Sequence, residues 1–322
     1  MFDPILLPLD GSPLAECVLP QVVALSQAFN AEVILLHVLD KNRVGASTQL
    51  FDLLNWQINK TEAKLYLERI GDQLHKLGLQ TKAVVLEGSV AESITEFSQG
   101  HEIKLVLLSS HGHSGLRKWG ISSVTNKVIL SAPTSVFIVR ATLPKEQTCR
   151  RILVPLDGSW RAENVLPMVT QMARFHRSHI QIVHVVKTPE LARHLPDAQA
   201  DIELSNRVVA RNREEARQYL EQVQSISLLS AIDVQTRLIV SDNTTLAIHE
   251  MIDREKIDLL VLNAHGYSGN NQWPYGSMVS HFFLYGKVPL LIVQDRPLKE
   301  ETRQVHITVR EHTMHEPYVS QV

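Results

Sequence analysis

Two cysteines in 322 residues, Cys17 and Cys149, are too few for a disulfide framework, and neither stands at metal-ligand spacing. A reducing compartment fits that usage best. Long apolar runs are missing too: no stretch approaches the roughly 20 residues needed to span a bilayer, and the first residues enter a strand with no basic region or apolar signal core. The expectation is a cytoplasmic protein with no membrane partner. Nor is there an excess of one charge. With 32 Lys and Arg against 34 Asp and Glu, the formal net charge is −2, and no global field draws nucleic acid.

What is present is a duplication. Ile5-Leu6-Leu7-Pro8-Leu9-Asp10-Gly11-Ser12 returns as Ile152-Leu153-Val154-Pro155-Leu156-Asp157-Gly158-Ser159, and His37-Val38 returns as His184-Val185, in both cases 147 residues on (5 to 152, 37 to 184). A third landmark, Ser110-His111-Gly112-His113-Ser114-Gly115, matches Ala264-His265-Gly266-Tyr267-Ser268-Gly269 at 154 residues (111 to 265), so seven residues were gained in between. Solenoid and propeller repeats run at roughly 20–50 residues, so a period this long is a doubled domain. The chain divides into a first domain over 1–142, a linker at 143–149 marked by Pro144, a second domain over 150–296 and a tail over 297–322.

Within each copy, short β-branched and leucine-rich runs alternate with longer segments of helical period, the pattern of an α/β fold with a parallel sheet. Strands are predicted at 5–9, 33–38, 81–86, 104–109 and 135–139, then at 152–156, 180–186, 234–240, 259–263 and 290–293. Helices are predicted at 14–29, 50–77, 90–99 and 123–130, then at 162–175, 201–224, 244–253 and 277–285. Strands such as Val33-Ile34-Leu35-Leu36 are apolar without alternation, as strands buried on both faces are. Right-handed crossovers give two tandem, doubly wound, five-stranded Rossmann-like domains, expected as separate sheets packed about a pseudo-two-fold axis like an intramolecular dimer. One continuous sheet, or unrelated halves, would remove the basis of this whole reading. In the tail, 304–310 could form one alternating strand.

Ligands of such sheets bind at the carboxyl ends of the strands, beside the point where strand order reverses. There Asp10 and Asp157 place a carboxylate at a strand tip, followed by a glycine for the turn and a serine suited to capping the next helix. Taken alone, such an aspartate more often just caps the helix. His37 and His184, near the second strand's end, read as packed residues without a metal. The loop after the fourth strand carries glycines and runs into a helix, whose N-terminus favours phosphate.

The opening Leu-Asp-Gly-Ser strand, the second strand ending in His-Val and a loop of the form G-x-x-G, nine residues, then G and S or T together resemble the universal stress protein A family, over both repeats. The resemblance implies an adenine-nucleotide-hydrolase-like fold and, in members that bind it, ATP with or without Mg2+. Carried over, the second-copy pocket comprises Pro155, Asp157, Val185, Leu262, Asn263, Gly266, Gly269, Gly276, Ser277 and Met278. The first-copy pocket comprises Pro8, Asp10, Val38, Leu108, Ser109, Gly112, Gly115, Ser122, Ser123 and Val124. Of the three pattern glycines the second copy keeps two, with Asn263 at the first; the first copy keeps only Gly112, with Ser109 and Ser122 replacing the others. Since glycine lets backbone approach phosphate closely, the second pocket is expected to bind the tighter.

The implied role is a stress sensor or regulator that binds adenine nucleotide, with a protein partner of unknown identity and a homodimer allowed. A nucleotide-free interaction module is the rival, separated from it by whether nucleotide is retained or shifts thermal stability. A slow ATP-hydrolysing enzyme ranks below both, because neither glycine loop contains a carboxylate to hold a metal, and no catalytic residue is assigned. Histidines cluster at His111/His113 and at His306/His312/His315, short of the three or four converging ligands zinc requires, and no metal site is expected.

Overall fold

The computed structural model describes residues 2–40, 49–112, 121–131, 134–141, 149–189, 199–226, 229–266 and 275–294. Ten strands are present: β1 (Ile5–Pro8), β2 (Val33–Leu39), β3 (Thr81–Glu87), β4 (Leu105–Ser109), β5 (Ser135–Val139), β6 (Arg151–Pro155), β7 (His179–Lys187), β8 (Asp233–Ser241), β9 (Leu259–Asn263) and β10 (Leu290–Val293). The helices are α1 (Leu19–Phe29), α2 (Gln49–His75), α3 (Val90–Gly100), α4 (Ser123–Ser131), α5 (Trp160–Glu163), α6 (Leu166–His176), α7 (Gln199–Ser225), α8 (Thr244–Arg254) and α9 (Ser277–Tyr285). Most bounds lie within two residues of those predicted. The first helix of each copy is shorter than predicted, because Pro20 and Pro167 cannot sit in a helix interior and instead open a new helix; a separate turn, 3-10 at Ala15–Val18 and α5 in the second copy, precedes it.

Each half has its strands in the order 3-2-1-4-5, all parallel, so the chain reverses direction across the sheet between β1 and β4 and again between β6 and β9. The two halves are not separate sheets. β5 and β10 pair antiparallel, fusing the halves into one ten-stranded sheet, which corrects the expected packing of two sheets. The physical cause is the edge: β5 and β10 are buried along their whole length, and an unpaired edge there would leave backbone N–H and C=O groups without partners. The halves are nevertheless equivalent. Phe137 faces Leu291, residues 154 apart and therefore the same position of the two copies, so a pseudo-two-fold axis passes through this pair.

Helices on both faces bridge the axis. On one face α1 and α6 pack together, Gln171 Nε2 donating to the Ala28 carbonyl at 2.9 Å and His176 Nε2 lying 3.0 Å from the Ala24 carbonyl. On the other, each half caps a helix of its neighbour. Tyr275 donates to the Ile129 carbonyl in α4 at 2.8 Å, and the buried Arg140 donates through Nη2 to the Phe282 and Phe283 carbonyls of α9 at 2.7 and 2.9 Å. Gly286 makes room for that guanidinium, since a Cβ there would press on Arg140 Nη2 and the Phe282 carbonyl. Both apolar cores draw residues from the two halves, so the duplicated domains share their interior. The tail and its expected strand lie outside the described residues, as does most of the linker.

Candidate functional site

The turn after the first strand is built the same way twice. Asp10 Oδ1 accepts from the Ser12 amide at 3.0 Å and the Ser12 hydroxyl at 2.6 Å, while Ser12 Oγ accepts from the Ala15 amide at 3.1 Å. In the second half, Asp157 Oδ1 accepts from Ser159 at 3.0 and 2.6 Å, and Ser159 Oγ from the Ala162 amide at 3.2 Å. The serine, not the aspartate, caps the helical turn; the aspartate is held by the serine. Its other oxygen lies against the glycine loop, where a Cβ at Gly112 or Gly266 would overlap Oδ2 of Asp10 or Asp157. These glycines are therefore required by protein packing alone. Gly11 and Gly158, at φ of +81° and +82°, supply the left-handed turn between strand and serine.

Above each turn, at the reversal of strand order, lies a cavity. The first, of about 340 Å³, is lined by Pro8, Asp10, Val38, Leu108, Ser109, Gly112, Ser122, Ser123 and Val124, together with residues of α2 and α3. The second, of about 200 Å³, is lined by Pro155, Asp157, Val185, Leu262, Asn263, Gly266, Gly276, Ser277 and Met278. Every site residue expected from sequence that falls among the described residues lines one of these two cavities; Gly115 and Gly269 are not among the described residues.

The cavities differ where the glycine pattern differs. In the second half Gly276 precedes α9 with no side chain to cap it, so among the described residues no side chain caps the first amides of the helix beside the cavity. In the first half Ser122 accepts from the Thr125 amide at 3.0 Å and meets the Thr125 hydroxyl at 2.8 Å, so one α4 donor is already used. The replacements at the first pattern position brace the turn itself: the Ser109 hydroxyl accepts from the His111 amide at 3.3 Å, and Asn263 Nδ2 donates to the His265 carbonyl at 2.7 Å.

The histidines of the second strands occupy equivalent half-buried places, each edge-on to a tyrosine, His37 to Tyr66 and His184 to Tyr219. Burial pushes both imidazoles below their ordinary pKa, opposed by a backbone bond to Leu9 or Leu156 and by the nearby aspartate. His111, buried beside the first cavity, is likewise pushed down by burial and by the Arg140 guanidinium. No cluster of three or more metal-ligating side chains occurs among the described residues, and His113 and the tail histidines lie outside them.

The fold and the twice-built turn match one known family. Its model, described as the universal stress protein family, aligns with residues 1–140 and again with 148–294. The chain belongs to the universal stress protein family. A universal stress protein of Methanocaldococcus jannaschii is 29% identical over 155 residues, covering 44% of this chain and 96% of that protein. One from Bacillus subtilis is 27% identical over 149 residues, 44% of this chain and all of the relative, so each matches a single half. At whole-chain scale, the fold is shared with a universal stress protein of Archaeoglobus fulgidus at a TM-score of 0.63, with 17% identity, covering 91% of this chain and 99% of that one.

Within this tandem member of the universal stress protein family, several lining residues carry no family pattern. The first cavity takes Asp40 from the end of β2, Trp56 and Asn59 from α2, and Val90 and Ile94 from α3; the second takes Thr244 from α8. The one sequence signal for Trp56 was an aromatic near the start of the helix that follows the second strand. A long amphipathic helix reads as sheet cover, which hides such a residue. Among the described residues no helix is long and apolar enough to cross a membrane.

Proposed function

We propose that this universal stress protein binds adenine nucleotide, ATP foremost, in the cavity of its second half, and acts as a stress sensor or regulator through a protein partner. The observation that carries the reading is the open start of α9. Gly276 supplies no side chain to cap the first helical amides, and no other described residue caps them, beside a cavity floored by Gly266 and Asp157; such a helix start favours phosphate. The first cavity is the larger, but size serves the base and uncommitted donors serve the phosphates. Ser122 has taken a donor from α4, and among the described residues two carboxylates rather than one line that cavity.

Titration calorimetry of the full chain tests this. Asp157→Ala should weaken adenosine and ATP alike at the second cavity, because the carboxylate acts at the nucleoside end. Gly276→Val, which puts a branched side chain where phosphate oxygens would sit, should weaken ATP more than adenosine, whereas Ser122→Val should matter less to ATP. Unchanged ATP affinity in Gly276→Val, or tighter ATP binding in the first half, overturns the assignment. No nucleotide binding at all would favour the interaction-module reading.

A further inference from the structure

The two cavities have diverged at one wall. Tyr66 of α2 and Tyr219 of α7 meet the equivalent histidines, and Ala63, Leu67 and Ile70 are buried as Ala216, Leu220 and Val223 are, so the two helices correspond at 153 residues (66 to 219) and Trp56 matches Val209 (56 to 209). Trp56 is half-buried and lines the first cavity. Val209 lies instead in a separate surface groove between α7 and β8, and no described residue of α7 lines the second cavity. Among the described residues, the first cavity therefore has an indole wall that the second lacks.

The rest of the first cavity points the same way. Asp10 and Asp40 line it, no lysine or arginine does so among the described residues, and burial holds its two histidines, His37 and His111, toward the neutral form. A polyphosphate would meet one carboxylate, Asp40, more than among the described lining of the second cavity, together with a partly used helix start, and such juxtaposition is unfavourable. Carboxylates accept hydrogen bonds, so the matching ligand offers donors such as sugar hydroxyls or an amine. The remaining lining, including Leu36, Val38, Val90 and Ile94, is apolar and suits a flat ring.

We propose that the first cavity is a nucleoside site, with Trp56 as the stacking wall for the base and Asp10 and Asp40 facing hydroxyl or amine donors, selective against phosphorylated ligand. It rests on the reading of these cavities as nucleotide-type pockets and assigns the two halves different ligands, nucleoside in the first and nucleotide in the second.

The probes are adenosine and ATP, titrated against the full chain by calorimetry and by tryptophan emission. Saturating adenosine should change the emission of the parent, and Trp56→Phe should remove that change while keeping adenosine affinity within about threefold, since a phenyl ring still stacks. Trp56→Ala should weaken adenosine by about 5- to 150-fold, the equivalent of roughly 1–3 kcal/mol of base–aromatic stacking, and leave ATP binding unchanged. Asp40→Asn should narrow the first cavity's preference for adenosine over ATP. Adenosine binding equal in Trp56→Ala and parent, or ATP weakened as much as adenosine, overturns the inference. Those results would leave the nucleotide reading standing provided ATP still responds to Gly276→Val. Absence of binding by either ligand sinks both.

Discussion

Three glycines of one loop pattern should respond to alanine in two opposite ways. At Gly266 the new Cβ would overlap Asp157 Oδ2, and the carboxylate cannot simply swing away because its Oδ1 is held by the Ser159 amide and hydroxyl at 3.0 and 2.6 Å. Hydrogen bonds to a charged group contribute about 1.5–3 kcal/mol, so giving up or stretching this pair should lower the unfolding free energy by roughly that amount. Gly112 repeats the geometry against Asp10, bonded to Ser12 at the same two distances, and Gly112→Ala is an internal replicate. Gly276 differs. Its added Cβ would approach nothing closer than the Ala264 carbonyl at 3.6 Å, and its φ of −69° suits any residue. Gly276→Ala should therefore leave stability unchanged or raise it by about 0.4–1 kcal/mol through the unfolded chain. Urea unfolding followed by circular dichroism reads all three variants. The reasoning fails if Gly266→Ala is as stable as the parent, or if Gly276→Ala is the more damaging substitution, since either would mean that the aspartate does not rest on the loop as described.

The cross-capping of the halves predicts that Arg140→Met lowers stability by about 1–3 kcal/mol: two carbonyls of α9 lose a charged donor, partly offset by relief of a burial that pushes the guanidinium pKa down to about 10. Tyr275→Phe, which forfeits a single neutral bond to Ile129, should lower it by only about 1 kcal/mol, and a larger loss there than at Arg140 would contradict the ranking. His37, His111, His184 and His249 all have folded pKa values depressed mainly by burial, so the stability tied to them is complete above about pH 6.5 and is lost as pH falls from there through their folded values. Asp258, raised by burial to about 6, acts in the opposite direction, gaining stability as pH falls through that value. His37→Gln with His184→Gln should accordingly flatten the melting-temperature change between about pH 7.5 and 5.5, and Asp258→Asn should steepen it; a parent profile that neither change alters would refute both assignments.

The sequence carried the sites further than it carried the sheet. Strand tips, loop glycines and the helix start at Ser277 were legible because each depends on local chemistry: a carboxylate after an apolar run, glycine at a turn, a Gly-Ser step ahead of a run of helical period. Pairing of β5 with β10 was not, since Ser-Val-Phe-Ile-Val and Leu-Leu-Ile-Val look alike whether they end a sheet or sit at its centre. Continuous burial implies only that both faces are covered and leaves the edge partner open. Trp56 escaped for a related reason, because helical period locates a buried face without naming what else meets its end.

Duplication makes the remaining differences informative. The aspartate resting on a glycine and held by a serine recurs in both halves with nearly identical distances, as packing alone would require. Among the positions that diverged are Ser122 against Gly276, Ser109 against Asn263, and Trp56 against Val209, all outside that aspartate–glycine contact and, apart from Val209, lining one of the two cavities. Gly276 shows the freedom directly, since a Cβ would fit there, so its lack of a side chain leaves room above the α9 amides without being needed by the fold. Divergence at such positions changes what each cavity can hold while leaving the shared ten-stranded sheet intact, and it is the physical ground of the proposal that the two halves take different ligands.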